Sequence, residues 1–150
     1  MMDKAAVVYL LETSREKHGC IKTVVHASGV LYDGLLRDME STSVSKSFGL
    51  KVAGAWYLQK HAAQYEARHC IVYSPVSTAF GNPGQANYAA WNSYLDGLVR
   101  LRCSKNLLGV SIQWPEIAEV GMVAVKDGYL NTREKEMLGL RFYCSCHNLF

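Results

Sequence analysis

Between Val44 and Ala63 the apolar residues Val44, Phe48, Val52, Ala55, Leu58 and Ala62 recur every three or four positions, a spacing that predicts one long helix. Residues 4–17 carry the same period, with Val7, Leu10 and Leu11 on one side and Glu12, Arg15, Glu16 and Lys17 near the end; His18-Gly19 is a stop signal. Ile21 to His26 reads differently. Its continuous apolar run, Thr23-Val24-Val25, predicts a parallel strand buried on both faces. Asp33-Gly34 opens a connection in which Leu35, Leu36 and Met39 suggest a short helix, and Ser41 or Thr42 is placed to cap the next one. Cys70 to Tyr73 reads as a second strand, followed by a loop through Ser77. Gly109 to Gln113 reads as a third.

Before that third strand lies a helical stretch of about twenty residues without another proline. It follows the turn Gly81-Asn82-Pro83-Gly84 and carries two stripes, one small (Ala86, Ala90, Ser93, Gly97) and one bulky (Trp91, Leu95, Leu98, Leu101). A small stripe lets another element approach closely, so this helix is expected to lie buried between layers. Helix and strand alternate as in a parallel sheet with helical crossovers, which sets the fold class as α/β. Beyond Trp114 the pattern loosens, although Thr132 to Gly139 predicts a short capped helix. No repeat, low-complexity tract or linker suggests a second domain.

Composition narrows the function classes. The 150 residues are 49% apolar and 19% charged, ordinary for one globular domain with a real core. A net charge of +3 without a dense basic run gives nucleic-acid binding no support. No apolar run approaches the roughly 20 residues of a membrane span, and Met-Met-Asp-Lys is unlike a secretory signal. Five scattered cysteines argue for a reducing, cytoplasmic setting rather than a disulfide framework. Cys144-Ser-Cys146-His147 has zinc-type ligands but no second cluster to complete a tetrahedral site, so no metal is expected.

Tyr88 and Asn92 sit four apart near the start of the central helix, so both project from one face. A tyrosine there is often plain core, its hydroxyl tied to a carbonyl. Lys51, at the edge of its own apolar stripe, is by itself an ordinary snorkelling lysine. Taken together, Tyr88-x3-Asn92 with a distant lysine resembles the active-site set of the ketoreductase domains of polyketide and fatty-acid synthases, in the short-chain dehydrogenase/reductase superfamily. Further segments match that family in order: Val24-Val-His-Ala-Ser-Gly-Val-Leu31, Lys51-Val-Ala-Gly-Ala-Trp56, Gly81 to Leu95, and Ser111-Ile-Gln-Trp114 leading to Ala118-Glu-Val-Gly-Met122.

The resemblance implies a partial Rossmann-like parallel sheet with flanking helices over residues 1–142, followed by a tail, 143–150. It implies NADPH-dependent reduction of a 3-oxoacyl thioester on acyl carrier protein, with other synthase domains as partners. Tyr88 would deliver the proton, Lys51 would favour the phenolate, and Asn92 would orient the lysine or a relay water. Ala27, Ser28 and Gly29 would lie against the cofactor's ribose and nicotinamide. Val30-Leu31-Tyr32-Asp33 resembles the Leu-Asp-Asp fingerprint of the B-type members, and position 85, tryptophan in A-type members, is Gln85. Asp33 and Gln85 thus imply the D-configured alcohol, although Asp33-Gly34 is equally ordinary turn chemistry.

Three departures accompany the likeness. No G-x-G-x-x-G occurs, so the pyrophosphate-binding turn of the N-terminal βαβ part is missing. A domain fragment, a truncated gene model and a piece of a longer chain all fit that. Pro75 stands thirteen before the tyrosine, where the family has the serine that holds the substrate carbonyl; strand alternation aims Ser74 the other way, and Ser77 reaches the site only if the loop moves. Pro115-Glu116-Ile117 replaces a Gly-Pro-Trp turn. The expected function is therefore an impaired ketoreductase, with two rivals: a non-catalytic structural subdomain and, less favoured by the motifs, a short-chain reductase acting on free small molecules.

Overall fold

The computed structural model describes residues 3–81, 83–114 and 141–144. Helix α1 (Lys4–His18) starts where the Asp3 carboxylate accepts the Ala5 N–H at 3.2 Å, and it ends at Gly19, whose φ of 81° suits glycine. Strand β1 (Thr23–His26) follows. A 3-10 turn (Leu36–Asp38) precedes α2 (Ser41–Phe48), a wide π turn (Gly49–Ala53) and α3 (Gly54–Ala62). Then come β2 (His69–Pro75), the one-turn helix α4 (Ser77–Phe80), α5 (Ala86–Ser104), β3 (Leu108–Trp114) and β4 (Arg141–Cys144).

The sheet order is β1-β2-β3-β4, the first three strands parallel and β4 antiparallel beside β3. Right-handed crossovers that always step to the next strand in the same direction carry every helix to the same face. That is what the core shows. Val24 packs with Val7 and Leu11 of α1 and Ala62 of α3. Cys70 and Val72, in register with Val24 and His26, pack with Ala55 of α3 and Leu95, Leu98 and Val99 of α5. Arg102, 1% exposed, closes the bottom of this layer by donating to the carbonyls of Leu108 and Arg68, both at 3.2 Å.

This one-sided layering corrects two expectations. β1 is an edge strand covered on one face only, so Val25, which points away from the helices, is 54% exposed. For the same reason the small stripe of α5 does not meet another layer. Ala86, Ala90, Ser93 and Gly97 are all exposed, while Trp91, Leu95 and Leu98 bury and Leu101 stays at the rim. The long helix expected from Val44 is interrupted by the π turn, and it begins at Ser41 itself, with the Thr42 hydroxyl bonded to the Glu40 carboxylate. The loop expected through Ser77 is α4, closed by the Gly81 N–H on the Ser77 carbonyl at 2.7 Å. β4 was not foreseen. The helix expected at Thr132–Gly139, the Pro115–Ile117 turn and the tail residues Cys146 and His147 lie outside the described residues.

Candidate functional site

Gly81 and Gly84, each at φ 75°, fold the chain back so that α5 starts at the C-terminal edge of the sheet, and Tyr88 and Asn92 occupy its first turns. Lys51 reaches them from the π turn. Its Nζ donates to Asn92 Oδ1 at 2.7 Å and lies 5.1 Å from the centroid of the Tyr88 ring. The other end of the Asn92 amide donates to the Tyr88 carbonyl at 2.8 Å, so this asparagine ties the lysine to the helix that bears the tyrosine. Behind them the Tyr88 ring meets Trp91 edge-on at 6.1 Å, and Trp91 meets Phe48 at 6.0 Å.

Electrostatics follow from burial. Lys51 is only 3% exposed, not snorkelling, and desolvation lowers its amine from 10.5 to about 8. Burial pushes the Tyr88 phenol up; the Asn92 side chain offsets part of this and the Asp33 carboxylate adds to it. His26, the last residue of β1, is buried and held at about 4, first by desolvation and then by the Lys51 charge, so it is neutral near pH 7. Its Nε2 lies 3.1 Å from Ser28 Oγ. Ala27, Ser28 and Gly29 follow as an exposed run off the C-terminal end of β1, where open α/β sheets take their ligands.

A second group joins the loop after β1 to the start of α5. Gln85 Nε2 donates to Asp33 Oδ2 at 3.4 Å, Asn87 Nδ2 to the Tyr32 carbonyl at 2.7 Å, and the Gly34 N–H to the Gly84 carbonyl at 2.8 Å. Asp33 and Gln85 are thus brought together. Asn87 was not singled out from the sequence, where nothing separates it from any polar residue in a first helical turn.

Pro75 ends β2 opposite Trp114, and alternation sends the Ser74 hydroxyl to the opposite face, where it meets Asp96 on α5. Ser77 is half-buried at the start of α4. An apolar cleft of about 410 Å³, lined by Val52, Ala53, Trp56 and Tyr94 among others, draws on the π turn, α3 and α5 and includes none of Tyr88, Lys51 and Asn92. Among the described residues no group of histidine, cysteine and acidic side chains could hold a metal ion, and no helix is long and apolar enough to cross a membrane.

Comparison with known proteins identifies the family to which this fold belongs. The chain is 40% identical over 121 residues to the reducing polyketide synthase DEP5 of Alternaria brassicicola, covering 80% of this chain and 5% of that protein. It is 36% identical over 123 residues to naringenin synthase of Pestalotiopsis fici, covering 81% and 4%. Among solved structures, the ketoreductase from the first module of phoslactomycin biosynthesis in Streptomyces sp. HK803 superposes with a TM-score of 0.73 at 32% identity, over 80% of this chain and 27% of that one. A ketoreductase domain from the bacillaene assembly line gives 0.72 at 31%, over 80% and 30%. The chain therefore spans a small part of the relatives it matches. The family model for the KR domain covers residues 1–119, and with it the chain belongs to the ketoreductase domains of polyketide synthases, in the short-chain dehydrogenase/reductase superfamily.

Proposed function

We propose that the chain is the C-terminal part of a ketoreductase that reduces a 3-oxoacyl thioester on acyl carrier protein, with its turnover impaired by Pro75. The observation that carries this reading is the bond from Lys51 Nζ to Asn92 Oδ1 at 2.7 Å with the amine held over the Tyr88 ring. NADPH, when bound, supplies the hydride. The exposed Ala27–Gly29 run and the Ser28 hydroxyl fit the ribose and nicotinamide end of such a cofactor, whereas no glycine-rich turn in this sequence fits its pyrophosphate. The isolated chain is therefore expected to bind it weakly.

The residues divide the remaining work. Tyr88 gives its phenolic proton to the alkoxide that forms from the ketone. Its raised pKa keeps the proton in place beforehand. Lys51, charged below about pH 8, attracts the electron density left on the ring after transfer. Asn92 holds the lysine there. Asp33 and Gln85, joined at 3.4 Å, orient the acyl chain for the D-configured alcohol. What is missing is a hydroxyl at position 75 to bind the carbonyl, a loss typically worth about 10²–10³ in kcat.

The test fuses the chain to the cofactor-binding half of a matched synthase and follows NADPH oxidation on a 3-oxoacyl thioester. Pro75→Ser is expected to raise the rate at least tenfold, and Tyr88→Phe in that background to abolish the gain. An unmutated fusion that already turns over as fast as ordinary ketoreductases would refute the role given to Pro75. No activity even in the Pro75→Ser fusion would favour the second reading, a structural subdomain that packs against other synthase domains, for which Pro75 is the supporting observation.

A further inference from the structure

We propose that Asp96 is a positioning residue, whose buried carboxylate fastens α5 to the C-terminal ends of β2 and β3 and so sets where Tyr88 and Asn92 stand against Lys51. Asp96 lies one helical turn beyond Asn92 and two beyond Tyr88, on the same face of α5. Its Oδ1 accepts the Ser111 hydroxyl at 2.5 Å, and its Oδ2 accepts the Ser74 hydroxyl at 3.3 Å and the Gln113 amide at 3.2 Å. Ser74 and Ser111 are 2% and 1% exposed and Asp96 8%, so the two serine bonds are made out of water, with the Gln113 bond at their part-buried edge. One side chain of the helix thus grips two adjacent strands near their C-terminal ends.

Leu95, Leu98 and Val99 already bury α5 on the sheet. Apolar packing is non-directional, however, and tolerates a helix that rolls or slides slightly. Hydrogen bonds to a carboxylate do not, because they weaken steeply with distance and angle. Three of them, directed to two strands, fix both the roll and the height of α5. A slide of one residue, about 1.5 Å, would break the 2.7 Å bond between Lys51 and Asn92. The network also commits the Ser74 hydroxyl, which therefore does not substitute for the donor absent at Pro75.

The inference rests on reading Tyr88, Lys51 and Asn92 as the reductase group, but its test reads geometry rather than turnover, so the two fail separately. In the full 150-residue chain, the Lys51 Cε–Hε signal is followed by NMR against pH. With the amine 5.1 Å from the centroid of the Tyr88 ring, its protons are expected upfield, and with desolvation lowering the amine to about 8 the signal is expected to titrate there. Asp96→Asn keeps the size but replaces one acceptor oxygen with a donor. It is expected to lose the upfield shift and raise the proton affinity of the amine at least tenfold, and Ser111→Ala to do the same in smaller measure. Leu95→Ala is expected to lower stability while leaving the Lys51 signal unchanged. The proposal is overturned if folded Asp96→Asn leaves that signal in place, or if Leu95→Ala moves it as far. Should Asp96→Asn fail to fold, Ser111→Ala decides by the same criterion. If the Lys51 signal responds as expected and no fused chain turns over, the positioning role stands and the reductase reading falls.

Discussion

Replacing Lys51 with methionine removes a charge and a donor from the interior while keeping nearly the same shape. In the folded chain the amine titrates near 8 instead of 10.5, a difference that puts the burden of holding it charged at about 3 kcal/mol. The variant sheds that burden but leaves Asn92 Oδ1, on a residue with no exposure, without its donor, at a cost of about 1–2 kcal/mol. Lys51→Met is therefore expected to be more stable at neutral pH by about 1–2 kcal/mol. Below pH 8 both the folded and the unfolded chain carry the proton, and the natural chain bears the full burden. Between 8 and 10.5 the unfolded chain binds a proton that the folded one has released, so the stability of the natural chain rises with pH relative to the variant. By the top of that window the order has inverted, because only the unpaired Asn92 oxygen remains in the difference. Urea unfolding of both proteins, each also carrying Tyr88→Phe to remove the phenol that Lys51 faces, followed by circular dichroism across that range, gives the curve. A difference that stays flat with pH, or a natural chain more stable at neutral pH, would refute the reasoning.

Two further outcomes are expected. Arg102→Leu should lower stability by about 3 kcal/mol, since two charge-assisted bonds to the Leu108 and Arg68 carbonyls are lost from a side chain with 1% exposure; an effect under 1 kcal/mol in urea unfolding (roughly the cost of one neutral bond) would show that water replaces them. The uncovered edge strand β1, with Val25 exposed, is expected to make the chain self-associate, and Val25→Lys should reduce that association in sedimentation velocity without changing the melting temperature, because the side chain packs on nothing it would lose. Unchanged association would place the sticky surface elsewhere.

The periodic elements were legible because their signal is local. Val7 and Leu11, Ala55 and Ala62, and Leu95 and Leu98 all bury as their spacing foretold. The pairing of Tyr88 and Asn92 is a property of helical pitch and needed no tertiary information. The burial of Lys51 was not legible. Three/four spacing left it at the edge of the stripe, and only the widened turn at Gly49–Ala53, which no local rule announces, accompanies its inward position. The Asp96 network left a trace that went unread: Ser74 and Ser111 hold inward positions of their strands, and Asp96 continues the inward face of Asn92. Polar residues at three such positions are what a buried hydrogen-bonded cluster looks like in sequence. β4 is far from β3 along the chain, and its antiparallel pairing is a long-range event that so short a strand does not encode by itself.

Pro75 sits where the sheet asks nothing of its nitrogen. The Val76 N–H serves the β3 side by bonding the Trp114 carbonyl at 2.9 Å, and on the other side β1 stops at His26, opposite Val72. A proline in that place removes no ladder bond, so folding does not register it. Proline and serine codons, CCN and UCN, differ by a single base. Selection on a well-folded domain is blind to that substitution in either direction, and under the proposed function only selection on the reduced product can see it. A population carrying this domain can lose the hydroxyl without losing the protein, and the way back is one transition long.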